Sequence, residues 1–368
     1  MPPSVGGHTF TTFDAGAALN SSAEALVGGF LIGAGFRSIG SVRSTTVARH
    51  ELEHRLEEHR VELCAYCYRM LGSPFEAQDA VQETFIRAWR GFDAFEGRAS
   101  LRSWLYRIAT NVCLDMLRSV ERRARPMDLG PAREPVASNL NELPETTWLQ
   151  PVPDRLVVAA DGDPAEIAAS RDSVRLAFVA ALQHLPPRQR AALILCEVLQ
   201  WKAGEAAELL ETTVASVNSA LQRARATLAA NRLSASGTTS MLTESDRELL
   251  ARYVRAFEAY DMDALTALIH EDATQSMPPY DLWLAGRDDI FAWWMGAGIG
   301  CRGSRVIPAV AANGLPAYGQ YKRSEAGGYE PWALQVLELR DGRIGELTFF
   351  LGTDTLFPLF GLPPRLAP

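Results

Sequence analysis

The sequence predicts a multi-domain protein: two all-α modules in series, then a separate α+β domain. Three observations predict it. Apolar residues recur at helical spacing over 51–118 and again over 173–225. Seven prolines from Pro126 to Pro164 rule out a continuous helix between those stretches. From Leu242 two short helical patterns give way to residues alternating with the period of strands. At 368 residues, 47% apolar and 22% charged, the chain has the size and composition of two or three globular domains.

The net charge of −8 argues against a polyanion partner until it is divided. Residues 51–125 carry 12 Lys/Arg against 12 Asp/Glu, and 126–170 carry 2 against 8. Residues 171–232 carry 8 against 5, and 242–368 carry 11 against 17. The acid therefore sits in a linker and at the C-terminal end. Residues 212–232 hold three arginines and no carboxylate, a local basic face suited to phosphate.

The first fifty residues are rich in Gly, Ser, Thr and Ala and have little periodicity. Their apolar run, Ala25 to Phe36, is too short and too glycine-rich for a membrane span. No Lys or Arg precedes Glu24, as a signal peptide would need. Residues 1–50 are expected to be a disordered extension, consistent with a start codon placed too early. A soluble, cytoplasmic protein with no membrane partner is expected. Five scattered cysteines fit a reducing compartment. Cys64-x-x-Cys67 follows His59 but lacks a fourth ligand, and Ala65, Tyr66 and Met70 around it read as core. A buried structural pair is expected rather than metal or redox sensing, and no cofactor.

In the first module, Val81, Phe85, Ile86 and Trp89 form an apolar stripe, with Asp79, Gln82 and Glu83 on another face. Phe92 to Ser100 break the helix at Gly97. Leu101, Trp104, Leu105, Ile108, Val112 and Leu117 restart it, with Arg102, Arg107, Asn111 and Arg118 set among them, followed by Arg122, Arg123 and Arg125. Interleaved rings and guanidinium groups suit single-stranded nucleic acid. An ordinary amphipathic helix pair would explain the stripe, but not Asp79, Gln82, Glu83 and Asn111 together.

The second module runs from a helix over 173–185, through Pro186-Pro187, which open the next helix, to Lys202–Leu210 and Thr213–Arg225. Ala206 and Ala207 permit a close helix crossing, and Val217 and Leu221 face its core, as in a helix-turn-helix. Its second helix would enter a major groove by its N-terminal end. Between the modules, Trp148 and Leu149 are apolar exceptions that could anchor the linker to a partner.

These residues closely resemble bacterial sigma factors of the extracytoplasmic-function group. Asp79 to Trp89, the Phe95-Glu-Gly97 loop and the Trp104-Leu-x-x-Ile-Ala-x-Asn111 helix match region 2. The Leu185-Pro-x-x-x-Arg190 opening and the Gln222-Arg-Ala-Arg225 ending match region 4, although Asn218 and Ala220 stand where the family often has arginine. In the C-terminal part, Phe257-x-x-x-Asp261-x-x-x-Leu265, Met277-Pro-Pro-Tyr280 and Gly286-Arg287 resemble the SnoaL-like fold of polyketide cyclases and ketosteroid isomerase. The whole resembles the actinobacterial group of these sigma factors that carries a SnoaL-like extension.

The resemblance implies a region 2 bundle over 51–127, a Pro-rich acidic linker over 128–170, a region 4 helix-turn-helix over 171–233 and an α+β cone over 242–368. It implies no catalysis: the sigma factor binds core RNA polymerase and promoter DNA and directs initiation. Asp79, Gln82 and Glu83 would face the β′ clamp helices, with the β flap as a further contact. Phe95, Gly97, Arg98, Ser100 and Asn111 would hold a flipped −10 base, and Arg102, Arg107, Arg118, Arg122 and Arg123 its backbone. Thr213, Ser216, Asn218, Gln222, Arg223 and Arg225 would handle the −35 duplex. Met277, Tyr280, Trp283, Trp293 and Trp294 are candidates to line a small-molecule pocket in the cone. Asp281 and Asp354 are its few candidate acids, both in expected loops. A docking module that controls the sigma domains is favoured over ligand sensing and over an enzymatic cone. A stand-alone DNA-binding regulator is the remaining alternative.

Overall fold

A buried helix organises the first module. Residues 51–58 are helical and lead into α1 (Arg60–Leu71), in which every residue from Leu63 to Leu71 is buried. A helix buried all round belongs at the centre of a bundle. It stops at Gly72, whose φ of +77° suits a residue without Cβ and whose amide donates to the Tyr68 carbonyl at 2.8 Å. Ser73 caps α2 (Pro74–Gly91), and Ser100 caps α3 (Leu101–Met116) by accepting from the Ser103 amide. The computed structural model describes residues 51–368 except 96, 98, 99, 119–121, 161–162 and 231–241. The expected N-terminal extension, and Arg98, lie outside the described residues.

The linker is not simply extended. It makes single turns at Pro126–Leu129 and Asp154–Val157 and one helix, α4 (Pro164–Asp172), capped by Asp163. Pro126 and Pro164 stand at the first helical position and Pro153 just before Asp154, which explains why these turns form in so proline-rich a segment. Trp148 and Leu149 are each 2% exposed. Their anchor is the chain's own first module: Leu149 donates to the Ala124 carbonyl, Ala124 to Thr147, and Gln150 to Gly72.

The second module comprises α5 (Leu176–Gln183), α6 (Pro187–Leu193), a π turn at Ile194–Val198, α7 (Ala203–Leu209) and α8 (Val214–Ala230). Ala206, Ala207, Val217 and Leu221 are buried as expected.

The C-terminal domain opens with α9 (Glu244–Ala259), on a Thr243/Asp246 capping box, and α10 (Met262–Leu268). The strands are β1 (Ile269–Ser276), β2 (Trp283–Ala285), β3 (Arg305–Pro308), β4 (Ala317–Arg323), β5 (Tyr329–Arg340) and β6 (Arg343–Phe350), in sheet order β2-β1-β6-β5-β4-β3. β1 pairs parallel with β6, and the other neighbours are antiparallel. Asp341 and Gly342 turn the β5–β6 hairpin with φ of +52° and +68°, the two positive values of a type I′ turn. Helix α11 (Arg287–Met295) precedes β3, and α12 (Thr353–Phe360) follows β6.

Three differences from the sequence reading have local causes. The apolar run Val306 to Ala312, part of the strand-like sequence, is strand only to Pro308, which has no amide to extend a ladder. The three residues of β2 are too few to show a period. α12 contains Pro358 and an apolar run that carries no helical signature.

The two faces of the sheet have different fates. Tyr253, Phe257, Trp294, Leu337 and Leu347 close one face with α9, α10 and α11. Tyr321, Leu334, Val336 and Phe350, on the other face, join α12 and the helical modules in one continuous apolar cluster. At roughly 25 cal/mol per Å² of apolar area, that shared core is the main force holding the modules against the cone.

Candidate nucleic-acid interface

Helix α2 presents the expected acidic face. Asp79 and Gln82 are exposed, and Glu83 is half-exposed beside Arg87 at 2.7 Å. Val81 and Phe85 are buried, while Ile86 and Trp89 are half-buried at the edge of the core. The loop that follows stacks its rings. Phe95 lies 4.7 Å from Trp104 and 6.3 Å from Phe92, between centroids. Gly97 has φ of +70° with open space where a Cβ would stand. Ser100 also has a local duty, as the cap of α3. Asn111 is exposed.

The arginines of the first module are largely occupied. Arg102 donates to Glu62 at 2.7 Å and lies over the rings of Tyr106 and Trp201 at 5.2 and 5.5 Å. Tyr106 and Trp201 are 5.2 Å apart, so an aromatic residue of the second module seals the α3 face. Arg107 donates to the Glu208 carbonyl at 3.4 Å, with the Glu208 carboxylate at 3.8 Å. Arg122 meets His184 at 2.8 Å. Burial, and then Arg122, holds that imidazole below its ordinary value. Arg118 is open to solvent on 80% of its side chain and meets Asp115 at 3.4 Å.

Arg123 corrects the sequence reading. Only 5% exposed, it donates to the Trp148 carbonyl at 2.9 Å and to Glu76 at 2.6 Å. It fastens the linker and offers no phosphate contact.

In the second module, Thr213, Ser216, Asn218, Gln222 and Arg223 are exposed along α8. Thr213 accepts from the Ser216 amide at 3.1 Å and so sets the start of the helix. Arg225 is exposed and paired with Glu197 at 2.6 Å.

Two buried guanidinium groups join the modules. Arg190 is 3% exposed and donates to carbonyls of Met70, Gln183 and Leu185 and to the Gln183 side chain. Arg69 is 2% exposed and donates to the Ser173 carbonyl and hydroxyl at 3.1 and 2.6 Å. Burial pulls both down to about 10, so each remains a cation at neutral pH, held by dipoles rather than by carboxylates.

The cone reaches the same junction through Asn313, which is fully buried. Its amide donates to the Tyr68 hydroxyl at 2.7 Å and to the Val174 carbonyl at 2.6 Å, and its oxygen accepts from the Val152 amide at 3.0 Å. One side chain thus ties the first module, the linker and the start of the second module. Beside it, Gly314 donates to Asp154 at 2.7 Å. Arg175 meets Glu338 of β5 at 3.0 Å. Neighbouring Glu346 has its carboxyl pushed up by burial, which Arg125 only partly offsets. Sequence reasoning missed Trp201, Arg175 and Asn313, and marked Arg190 only as part of the region 4 opening. The Asn313-Gly314 pair is a turn signal, but nothing local says what the turn touches.

Inside the cone, Tyr253 donates to Gln335, Gln335 to Gln320 and Gln320 to Ser304, at 2.9–3.0 Å, while Trp294 donates to Gln275 at 2.8 Å. These buried polar positions carry amides and hydroxyls rather than a carboxylate. Trp293 and Trp294 are core, and Trp283 donates to the Gly130 carbonyl of the linker. Met277 and Tyr280 are half-buried, and none of these five lines either of the two larger cavities described in the structure. Asp281 is paired with Arg133 at 2.9 Å and bonded by Asn141, and Asp354 is exposed in the first turn of α12. The cysteine pair is buried, with Cys64 at 3% and Cys67 at 0%, while His59 meets Glu62. Among the described residues no helix is long and apolar enough to cross a membrane.

Comparison with known proteins matches residues 56–123 to sigma-70 region 2, 175–228 to sigma-70 region 4 and 250–347 to the SnoaL-like domain. The chain is 45% identical over 321 residues to the ECF RNA polymerase sigma factor SigG of Mycobacterium tuberculosis, covering 86% of this chain and 85% of that protein. It is 29% identical over 219 residues to SigJ of the same organism, 59% of this chain and 62% of that one. The crystal structure of SigJ shares the fold, with a TM-score of 0.55 over 84% of this chain and 99% of the other, at 21% identity.

Proposed function

The chain belongs to the extracytoplasmic-function RNA polymerase sigma factors, and on that premise we propose that its SnoaL-like cone is a clasp on the two promoter-reading modules. The protein binds core RNA polymerase and directs promoter recognition and transcription initiation. The clasp keeps region 4 over the α3 face of region 2 until polymerase takes both. In the cytoplasm, Asp79, Gln82 and Glu83 then meet the β′ clamp helices, and region 4 meets the β flap. Phe95, Gly97, Arg98, Ser100 and Asn111 receive the flipped −10 base, with Arg102, Arg107, Arg118 and Arg122 on its backbone. Thr213, Ser216, Asn218, Gln222, Arg223 and Arg225 read the −35 duplex. The cone performs no bond chemistry in this reading.

The observation that carries the clasp is Asn313, buried and bonded to three segments that only the docked arrangement brings together. An unpaired buried partner costs roughly 1–3 kcal/mol, so one substitution shifts the docked equilibrium measurably. Asn313→Ala should therefore lengthen the distance between regions 2 and 4, read by spin labels on exposed Arg90 and Arg223. It should also raise affinity for core polymerase. An unchanged distance with unchanged affinity would refute the clasp.

A further inference from the structure

The linker arches over a cavity. At one end Glu142 bridges Tyr280, Leu143 donates to the Pro279 carbonyl and Asp281 donates to Asn141, which pins the linker to the cone. At the other end Leu149 and Gln150 are pinned to Ala124 and Gly72 of region 2. Between the pins the chain rises through the turn Glu145–Thr147. The space beneath measures about 580 Å³, within the range of small-molecule sites. Its walls are mainly apolar: Leu143, Trp148 and Leu149 from the linker, Pro279, Phe350 and Leu356 from the cone. Glu142 and Glu145 line it as well, and no Lys or Arg does.

We propose that this arch is a binding site for an apolar, ring-bearing molecule with a cationic amine. The rings occupy the Trp148/Phe350/Leu356 walls, and the ammonium meets Glu142 and Glu145. It is distinct from the interior of the cone, where the buried amide network of Gln275, Gln320 and Gln335 lies. A ligand touching both walls binds only the docked linker, so mass action makes it tighten the docked state. This consequence rests on the clasp reading, whereas the site itself does not.

The test uses the full chain without polymerase and three matched probes: 2-naphthylmethylamine, 2-naphthalenemethanol and 2-naphthoate, titrated by calorimetry. The ammonium should bind one to one and about tenfold tighter than the alcohol, the size of one charge-assisted contact. Glu142→Gln with Glu145→Gln should reduce that preference to about twofold, because an amide still accepts but carries no charge. Thr355→Trp should fill the cavity from an exposed position and weaken all binding by about tenfold or more. Its unchanged melting temperature and far-ultraviolet circular dichroism would show that the fold survives. Naphthoate binding as tightly as the amine, probe binding unaffected by Thr355→Trp, or no binding of any probe at millimolar concentration would each overturn the site. A site that binds the amine without weakening affinity for core polymerase would leave the site standing and count against the clasp.

Discussion

Regions 2 and 4 both carry residues proposed to read DNA, yet the structure leaves the α8 set largely open and engages three arginines of the region 2 set. On α8 of region 4, Ser216, Asn218, Gln222 and Arg223 face solvent, and that helix can enter a groove as it stands. On region 2, Arg102 and Arg107 are held by Glu62, Trp201 and Glu208, and Arg122 by His184. These contacts lie near the surface, where ion pairs are worth about 0–1 kcal/mol each. The cover is therefore weak one contact at a time. What keeps it in place is the buried junction of Arg69, Arg190 and Asn313 and the apolar core shared with the sheet. The duplex-reading module is ready as folded. In the clasp reading, the module that would grip separated strands is released when the junction yields.

The largest effect tests a face that neither module covers. Asp79→Arg with Glu83→Arg places like charge where an acidic face is required, and several kcal/mol of repulsion should lower core-polymerase affinity by roughly 100-fold or more. Unchanged affinity in a pull-down with core enzyme would sink the placement of that face. Next, Phe95→Ala and Asn111→Ala should impair strand opening more than duplex binding, by about 1–3 kcal/mol for a lost base contact. Permanganate footprinting against gel shift separates the two steps, and equal losses in both would break the proposed division of labour.

Uncovering region 2 should act in the opposite direction. Trp201→Ala with Glu208→Ala takes the indole from Arg102 and the carboxylate from Arg107, leaving Glu62 and the residue 208 carbonyl in place, and binding of a single-stranded −10 oligonucleotide should rise by about threefold, the scale of one or two surface contacts. A fall in binding with the melting temperature intact would mean that Trp201 presents those arginines rather than hiding them. Arg223→Ala, on the open face, should weaken −35 duplex binding and lower the salt slope by about one phosphate contact. Single-strand binding by the same variant should not change.

The smallest effect concerns pH. Burial raises the Glu346 carboxyl, so the native state keeps a proton that the unfolded chain has already released. Stability should therefore fall as pH rises from about 4.3 through the raised folded value, and stay lower above it. Glu346→Gln should flatten that slope in thermal melts. An identical slope in the variant would place the titration elsewhere.

Much of this was legible in the chain itself. The stripe of Val81 and Phe85, the pair Ala206 and Ala207 and the turn Asp341-Gly342 are local rules of spacing and backbone shape. They fixed element types, module order and the exposed reading face of α8. The match of fixed positions from Asp79 to Asn111 went further, because spacing constrains chemistry as well as helix. Tertiary structure alone decided which polar residues remain available. Arg123 and Arg118 stand five residues apart in one basic tail, yet one is buried against the linker and the other lies in solvent. Asn313 looks like any turn residue until Tyr68, Val152 and Val174 arrive from far along the chain. A side chain's hydrogen-bonding capacity belongs to the sequence. Whether that capacity is spent inside the fold depends on long-range packing, which no local pattern encodes.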